Sequence, residues 1–195
     1  MGELNTLPVS VRVAGRRIVI VGGGEEALNK ARLALRTRAQ VVVVAEDVLA
    51  ELAALDVETR LRPFVAGDLD DAALVFVADD GQDGATAIAA ARASGVPLNV
   101  VDRPGLCDFY TPSIIEQAPL TVAISSEGEA PVLARLVRAR IEAMLGPQVG
   151  ALARLAGAMR GRVFARLGDG VMRRRFFEAL LTSPHIESAL ARGRG

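Results

Sequence analysis

Three consecutive glycines, Gly22-Gly23-Gly24, close a β-branched run and open an alanine-rich one, and few folds accommodate that order. Arg17-Ile18-Val19-Ile20-Val21 reads as a buried strand, and residues 27–38, rich in Ala, Leu and Arg, read as a helix. Strand, glycine turn and helix together are the setting in which Gly22-x-Gly24-x-x-Ala27 becomes a dinucleotide fingerprint; without it the pattern is only a turn. Gly22 permits the tight turn, Gly24 lets backbone approach a pyrophosphate, and Ala27 lets the helix pack close. The helix N-terminus adds free N–H groups and a positive dipole end. Gly22, Gly23 and Gly24 are therefore the first candidate cofactor-binding residues.

Val41-Val42-Val43-Val44-Ala45 is a continuous apolar run, as a strand covered on both faces should be. It ends at Glu46-Asp47, near the position where an acidic residue holds the adenosine ribose of NAD. The alternative reading is an ordinary acidic strand-to-helix loop. No arginine follows to hold a 2′-phosphate, which favours NAD over NADP. Glu25 and Glu26 flank the glycine turn and belong to the same candidate site, with side chains that must point away from a pyrophosphate. Asp79, after the strand Leu74-Val75-Phe76-Val77-Ala78, is counted with it.

Further strands are expected at 57–61 and 96–101, with a helix at 86–94 between the fourth strand and the fifth. This alternation predicts a parallel sheet with helices on both faces. After Asp102 the pattern changes. Residues 109–115 and 120–124 read as an antiparallel hairpin, either added to the parallel sheet or reaching away from it. Ser125 to Ala130 is a loop, and Pro131 suits a first helical position. Helices follow, broken near Gly168-Asp169-Gly170 and Ser183-Pro184. The expected fold class is α/β. A Rossmann-like NAD-binding domain (1–112) is followed by a strand-containing dimerisation region (113–146) and a small helical C-terminal region (147–195).

Composition bounds the function. With 51% hydrophobic residues the chain is globular, and no apolar run is long enough for a membrane span. One cysteine gives no disulfide framework, and Met1-Gly2-Glu3-Leu4-Asn5 lacks the layout of a signal peptide, so a cytoplasmic protein is expected. Residues 1–134 hold 11 basic and 19 acidic residues, whereas 135–195 hold 12 arginines against four acids. The basic half is either a set of solvated helix faces or a surface for an anionic partner. Few aromatics and no binding motif argue against nucleic acid; a polycarboxylate ligand fits.

These segments together resemble the precorrin-2 dehydrogenase/sirohydrochlorin ferrochelatase family, which forms the N-terminal module of siroheme synthase. The resemblance is carried by Leu7-Pro8-Val9 before a short strand, Ile20-Val21-Gly22-Gly23-Gly24 and Lys30-Ala31-Arg32. It continues with Asn99-Val100-Val101-Asp102, Phe109-Tyr110-Thr111-Pro112-Ser113-Ile114-Ile115 and Ala123-Ile124-Ser125-Ser126-Glu127-Gly128, and ends with Pro131-Val132-Leu133-Ala134-Arg135. It implies a homodimer that oxidises precorrin-2 with NAD to sirohydrochlorin. In many members ferrous iron is then inserted to give siroheme. A downstream methyltransferase domain, or a separate methyltransferase, is the implied further partner. The chain departs from the family pattern at Asp79-Asp80, at Glu127-Gly128-Glu129-Ala130 and at Glu25-Glu26.

Asp102 is the candidate catalytic base. It follows a central strand at the sheet end where open α/β folds bind ligands, and the resemblance implies the same position. The competing reading is a turn aspartate before Arg103-Pro104-Gly105. Asn99, Ser126, Arg135 and Arg138 are the candidate substrate-binding residues. Ser126 also aligns with a serine phosphorylated in some relatives, against a loop or capping role. Cys107 and His185 are single soft ligands without metal-site spacing, so no resident metal is expected. Three functional readings stay open: a bifunctional enzyme, a dehydrogenase without chelatase activity, and a non-catalytic NAD- or tetrapyrrole-binding module.

Overall fold

The computed structural model describes residues 4–192. Met1, Gly2 and Glu3 of the leader reading and Arg194 of the arginine count lie outside the described residues. The chain divides into two compact units, one running to Tyr110 and the other starting at Thr111. The expected 146/147 boundary falls inside the second of them.

The first unit is built on a five-stranded parallel sheet. Its strands are β1 (Arg17–Val21), β2 (Gln40–Ala45), β3 (Glu58–Leu61), β4 (Ala72–Val77) and β5 (Leu98–Val100), in the order β3-β2-β1-β4-β5. The apolar runs alternate between two cores because side chains point to opposite faces with period two. Val19, Val21, Val42, Val44, Val75 and Val77 pack on one face against Ala87 and Ala91 of α3 (Gln82–Ser94). Ile18, Ile20, Val41, Val43 and Phe76 pack on the other against Ala27, Leu28 and Ala31 of α1 (Glu25–Ala34). Alanine at the helix contact positions lets both helices sit close to the sheet. A short α2 (Ala50–Ala53) follows β2.

Two expectations need correction. The short strand expected after Leu7-Pro8-Val9 does not form ahead of β1, and Leu7, Val9 and Val11 are exposed, because no sheet strand lies beside them to take their backbone bonds. The expected strand at 109–115 begins only at Ser113, since the Phe109 carbonyl is taken by the Asn99 side chain.

The second unit opens with its own two-stranded sheet, β6 (Ser113–Gln117) antiparallel to β7 (Leu120–Ile124), joined by Ala118-Pro119 with a cis peptide bond. Four helices follow: α4 (Pro131–Met144), α5 (Val149–Arg166), α6 (Gly170–Leu181) and α7 (Pro184–Arg192). Pro131 opens α4, as its fixed φ allows. Asp169 caps α6, its Oδ1 accepting from the Val171 N–H at 3.1 Å. Arg173 closes the end of α5 by donating to the Leu167 carbonyl, and its guanidinium lies 4.4 Å from the centroid of the Phe164 ring. Arg154 donates to the Ala118 carbonyl at 2.6 Å, which ties α5 to the hairpin turn. Among the described residues no helix is long and apolar enough to cross a membrane.

Candidate functional site

The strand order places a topological switch between β1 and β4, and ligands of open α/β sheets bind outside the strand ends at such a point. A cavity of about 570 Å³ lies there. Gly22, Gly23, Glu46, Asp47, Asp79 and residues 81–83 line it, with Pro63 at one side.

The glycine turn has three different jobs. Gly22 has φ +122°, and a Cβ on it would stand 2.8 Å from the Ala78 carbonyl oxygen. A Cβ on Gly23 would run into the Asp47 carbonyl. These two glycines let three backbone segments meet: the Gly22 N–H donates to Val44 at 2.9 Å, Ala78 to Val21 at 2.8 Å, and Leu49 to Gly23 at 2.9 Å. Gly24 differs. It is the N-cap of α1, no side chain caps the helix, and nothing lies within 4 Å of where its Cβ would be. The turn therefore presents uncapped first-turn N–H groups beside open space, which fits a phosphate. The spacing rule gave no steric role to Gly23, the most crowded of the three, because its neighbour comes from the end of β2.

The acids around the turn divide by role. Glu46 and Asp47 are exposed on the cavity at the end of β2. Glu25 and Glu26 are exposed in the first turn of α1 and do not line the cavity; Glu26 accepts from the Asn29 side chain at 3.3 Å. Asp79 is held in place, its Oδ2 accepting from the Gly81 N–H at 3.0 Å and the Gly84 N–H at 2.7 Å, so it caps the start of α3.

Asp102 sits beyond β5 on the same end of the sheet, though not in the cavity lining. It is exposed and left-handed, with φ +57°, a conformation that aspartate tolerates better than most residues. Asn99 is buried in β5 and donates through Nδ2 to the Phe109 carbonyl at 2.9 Å.

In the second unit Ser126 is half-buried and its Oγ accepts from the Ala130 N–H at 3.2 Å, a loop-closing bond just before α4. Glu127 and Gly128 are both left-handed in the same loop. Arg135 is exposed on α4. Arg138 is engaged, donating to the Ile114 carbonyl at 3.4 Å and pairing with Glu142 at 3.1 Å. Among the described residues no three of His, Cys, Asp or Glu converge as metal ligands.

Sequence reasoning missed a buried carboxylate beside the cavity. Asp68 takes Arg60 at 2.6 Å and Arg62 at 2.6 and 2.9 Å, together with the Val65 N–H at 3.0 Å. Burial pushes this carboxyl up, but the hydrogen bonds from Arg62, the Val65 backbone and Arg60 outweigh it and hold the pKa at about 2. The same bonds raise both arginines. The cluster, with Phe64 N–H donating to Asp83 at 3.0 Å, fixes the loop that carries Pro63. The available signal was Arg60-x-Arg62, two like charges at and just past the end of β3 with an acid soon after.

Three family descriptions match in sequence along the chain. "Putative NAD(P)-binding" covers residues 9–113, "Sirohaem biosynthesis protein central" covers 117–144, and "Sirohaem synthase dimerisation region" covers 148–194. The siroheme synthase of Tolumonas auensis is 43% identical over 190 residues, covering 96% of this chain and 41% of the relative. That of Stutzerimonas stutzeri is 44% identical over 190 residues, covering 95% and 41%. The chain thus spans about two-fifths of the length of these curated relatives. A solved structure of SirC, a precorrin-2 dehydrogenase, has the same fold at a TM-score of 0.77 and 17% identity, covering 96% of this chain and 98% of that one.

Proposed function

The chain belongs to the family that forms the N-terminal, NAD(P)-binding module of siroheme synthase, and on that footing we propose that it oxidises precorrin-2 to sirohydrochlorin with NAD. The observation that carries the reading is an uncapped glycine turn opening on a cavity, with the exposed Asp102 carboxylate on the same sheet end. The residues present fit a dinucleotide: the α1 N–H groups and Gly24 take the pyrophosphate, and Glu46 takes the ribose hydroxyls. When bound, NAD supplies the hydride acceptor. The protein's part is to hold the macrocycle and to receive a proton at the Asp102 carboxylate. Loss of one hydride and one proton balances the oxidation.

We further propose that the module inserts ferrous iron as a second substrate. Two pyrrole N–H protons leave as the metal enters; Asp102, having released the proton of the oxidation to water, accepts them in turn and passes each to solvent. Asn99, Ser126, Arg135 and Arg138 remain the proposed substrate-side residues. Asn99 and Arg138 act through internal bonds that shape their elements, and Arg135 as an exposed charge for the polycarboxylate substrate. The working form is a cytoplasmic homodimer. Supporting it, Val132, Leu133 and Leu136 on α4 are 59%, 58% and 55% exposed, more apolar surface than one short helix leaves in water. We assign pairing to 113–146. The description "dimerisation region" falls instead on 148–194, and variants in α4 and α5 separate the two placements.

The test is anaerobic incubation with precorrin-2, NAD and ferrous iron, followed by absorbance. Siroheme supports both steps. Sirohydrochlorin alone restricts the protein to dehydrogenation, and an unchanged spectrum returns it to a binding module.

A further inference from the structure

β5 is an edge strand, and its outer backbone groups are met by Cys107 and Asp108 rather than by another strand. The Leu98 N–H donates to Asp108 Oδ2 at 3.0 Å, and the Asp108 N–H returns a bond to the Leu98 carbonyl at 2.7 Å. Asn99 reaches the Phe109 carbonyl. Arg92 of α3 grips Asp108 Oδ1 and donates to the Leu106 carbonyl at 2.6 Å. Residues 106–109 are thereby strapped along β5 immediately after the turn that carries Asp102.

The strap also reaches both flanks of that turn. The Cys107 thiol accepts from the Val100 N–H at 3.2 Å, and its S–H faces the Val100 carbonyl at 3.2 Å and the Arg103 carbonyl at 3.4 Å. Val100 and Arg103 bracket Asp102, and the Arg103 N–H closes the turn on the Val100 carbonyl at 3.3 Å. An exposed residue at φ +57° keeps one orientation only if its surroundings hold it there.

We propose that Asp108 and Cys107 are positioning residues for Asp102: the strap fastened by Asp108 to β5 and Arg92 fixes, through the Cys107 thiol, the turn that aims the Asp102 carboxylate. The proposal rests on the reading of Asp102 as the proton acceptor. It concerns the reaction rather than the fold, because the strap spans the four residues that set one side chain's direction. Neither residue belongs to the cofactor cavity.

The test is a double-mutant comparison by single-turnover precorrin-2 oxidation with NAD. Cys107→Ala and Asp108→Ala are each placed in the wild-type and in the Asp102→Asn background. In the wild type each should lower the single-turnover rate constant about tenfold to a hundredfold, the cost of a misdirected group, with NAD affinity unchanged. Cys107→Ser and Asp108→Asn, which keep part of the bonding, should recover some of the loss. In the Asp102→Asn background neither alanine should lower the rate further. An equal loss in both backgrounds, or no loss in the wild type, overturns the positioning role while leaving Asp102 as base. Wild-type turnover in Asp102→Asn alone overturns the reading of the base and the proposal with it. If an alanine variant fails to fold, Arg92→Gln on the exposed side of the strap repeats the comparison with the same expected pattern.

Discussion

The two units of this chain solve the same problem to different degrees. The first closes both faces of its sheet: Val19, Ile20, Val21, Val43, Val44 and Val75 are fully buried. In the second, only Ile115, Ala134, Gly150 and Val163 are buried among the described residues, while Val132, Leu133, Leu136, Met144, Val171 and Met172 stay more than half exposed. Apolar burial stabilises by about 25 cal/mol per Å². A unit that leaves this much uncovered lacks the core its length allows, which is what the proposed pairing would supply. The difference teaches where to look for each function. A cofactor site needs a rigid frame, and the finished first unit has one. Pairing needs free apolar surface, which is what the second has.

The sharpest break in the comparison is chemical. Asp102→Asn keeps shape and hydrogen bonding but removes the proposed proton acceptor, so kcat should fall by about 10²–10⁴-fold. NAD affinity, a property of the other side of the sheet end, should stay put. Steady-state rates and an NAD titration on the same preparation check both halves.

Asp68 tests whether the first unit's stability is held by charge as well as by apolar packing. Its pKa is lowered from an ordinary value near 3.8 to about 2. A depressed carboxylate stabilises the fold fully above the unfolded pKa and loses that contribution as pH falls through the folded one. Stability should therefore be level above about pH 5 and decline toward pH 2, by roughly 2 kcal/mol from this group. Asp68→Asn should lower stability by a similar amount at neutral pH and flatten the acid decline, as read by urea unfolding at a series of pH values.

The association reading predicts an effect of similar size. Leu133→Glu with Leu136→Glu should weaken dimerisation by about 2 kcal/mol, roughly thirtyfold, without unfolding the first unit. Sedimentation at micromolar concentration would show monomer appearing. If exposed positions of α5 such as Phe164 give the larger effect instead, pairing belongs to 148–194. Least of all, Arg135→Ala should raise the Michaelis constant for precorrin-2 a few-fold, about 0.5–1 kcal/mol as for an exposed charge, and the difference should shrink with salt.

Much of the first unit was legible because its signals are local. The valine run at 41–44 and the glycine turn each act on a few neighbouring residues, as do the breaks at Gly168 and Ser183 in the second unit. What the sequence could not display depends on distant backbone. Gly23 is demanded by Asp47, and Gly84 by the Asp79 carbonyl. Asp79 lines the cavity as a candidate cofactor residue, and its bond to the Gly84 N–H at the start of α3 is a second role that only the fold displays. Arg138 looked like a free positive charge until Ile114 and Glu142 were brought beside it by folding. The short strand expected after Leu7-Pro8-Val9 had no neighbouring strand to pair with, and Leu7, Val9 and Val11 stay exposed.

The central claim is that the first unit's glycine turn is a working cofactor site and not merely a tight corner. The most direct measurement is calorimetric titration of the intact protein with NAD, wild type beside Gly24→Asp. Nothing in the structure opposes a side chain at Gly24, so the variant should melt at the same temperature as the wild type. Its carboxylate, standing where the pyrophosphate is proposed to bind, should reduce NAD affinity at least about tenfold, or 1.4 kcal/mol. A variant that folds normally and binds NAD as the wild type does would contradict the account.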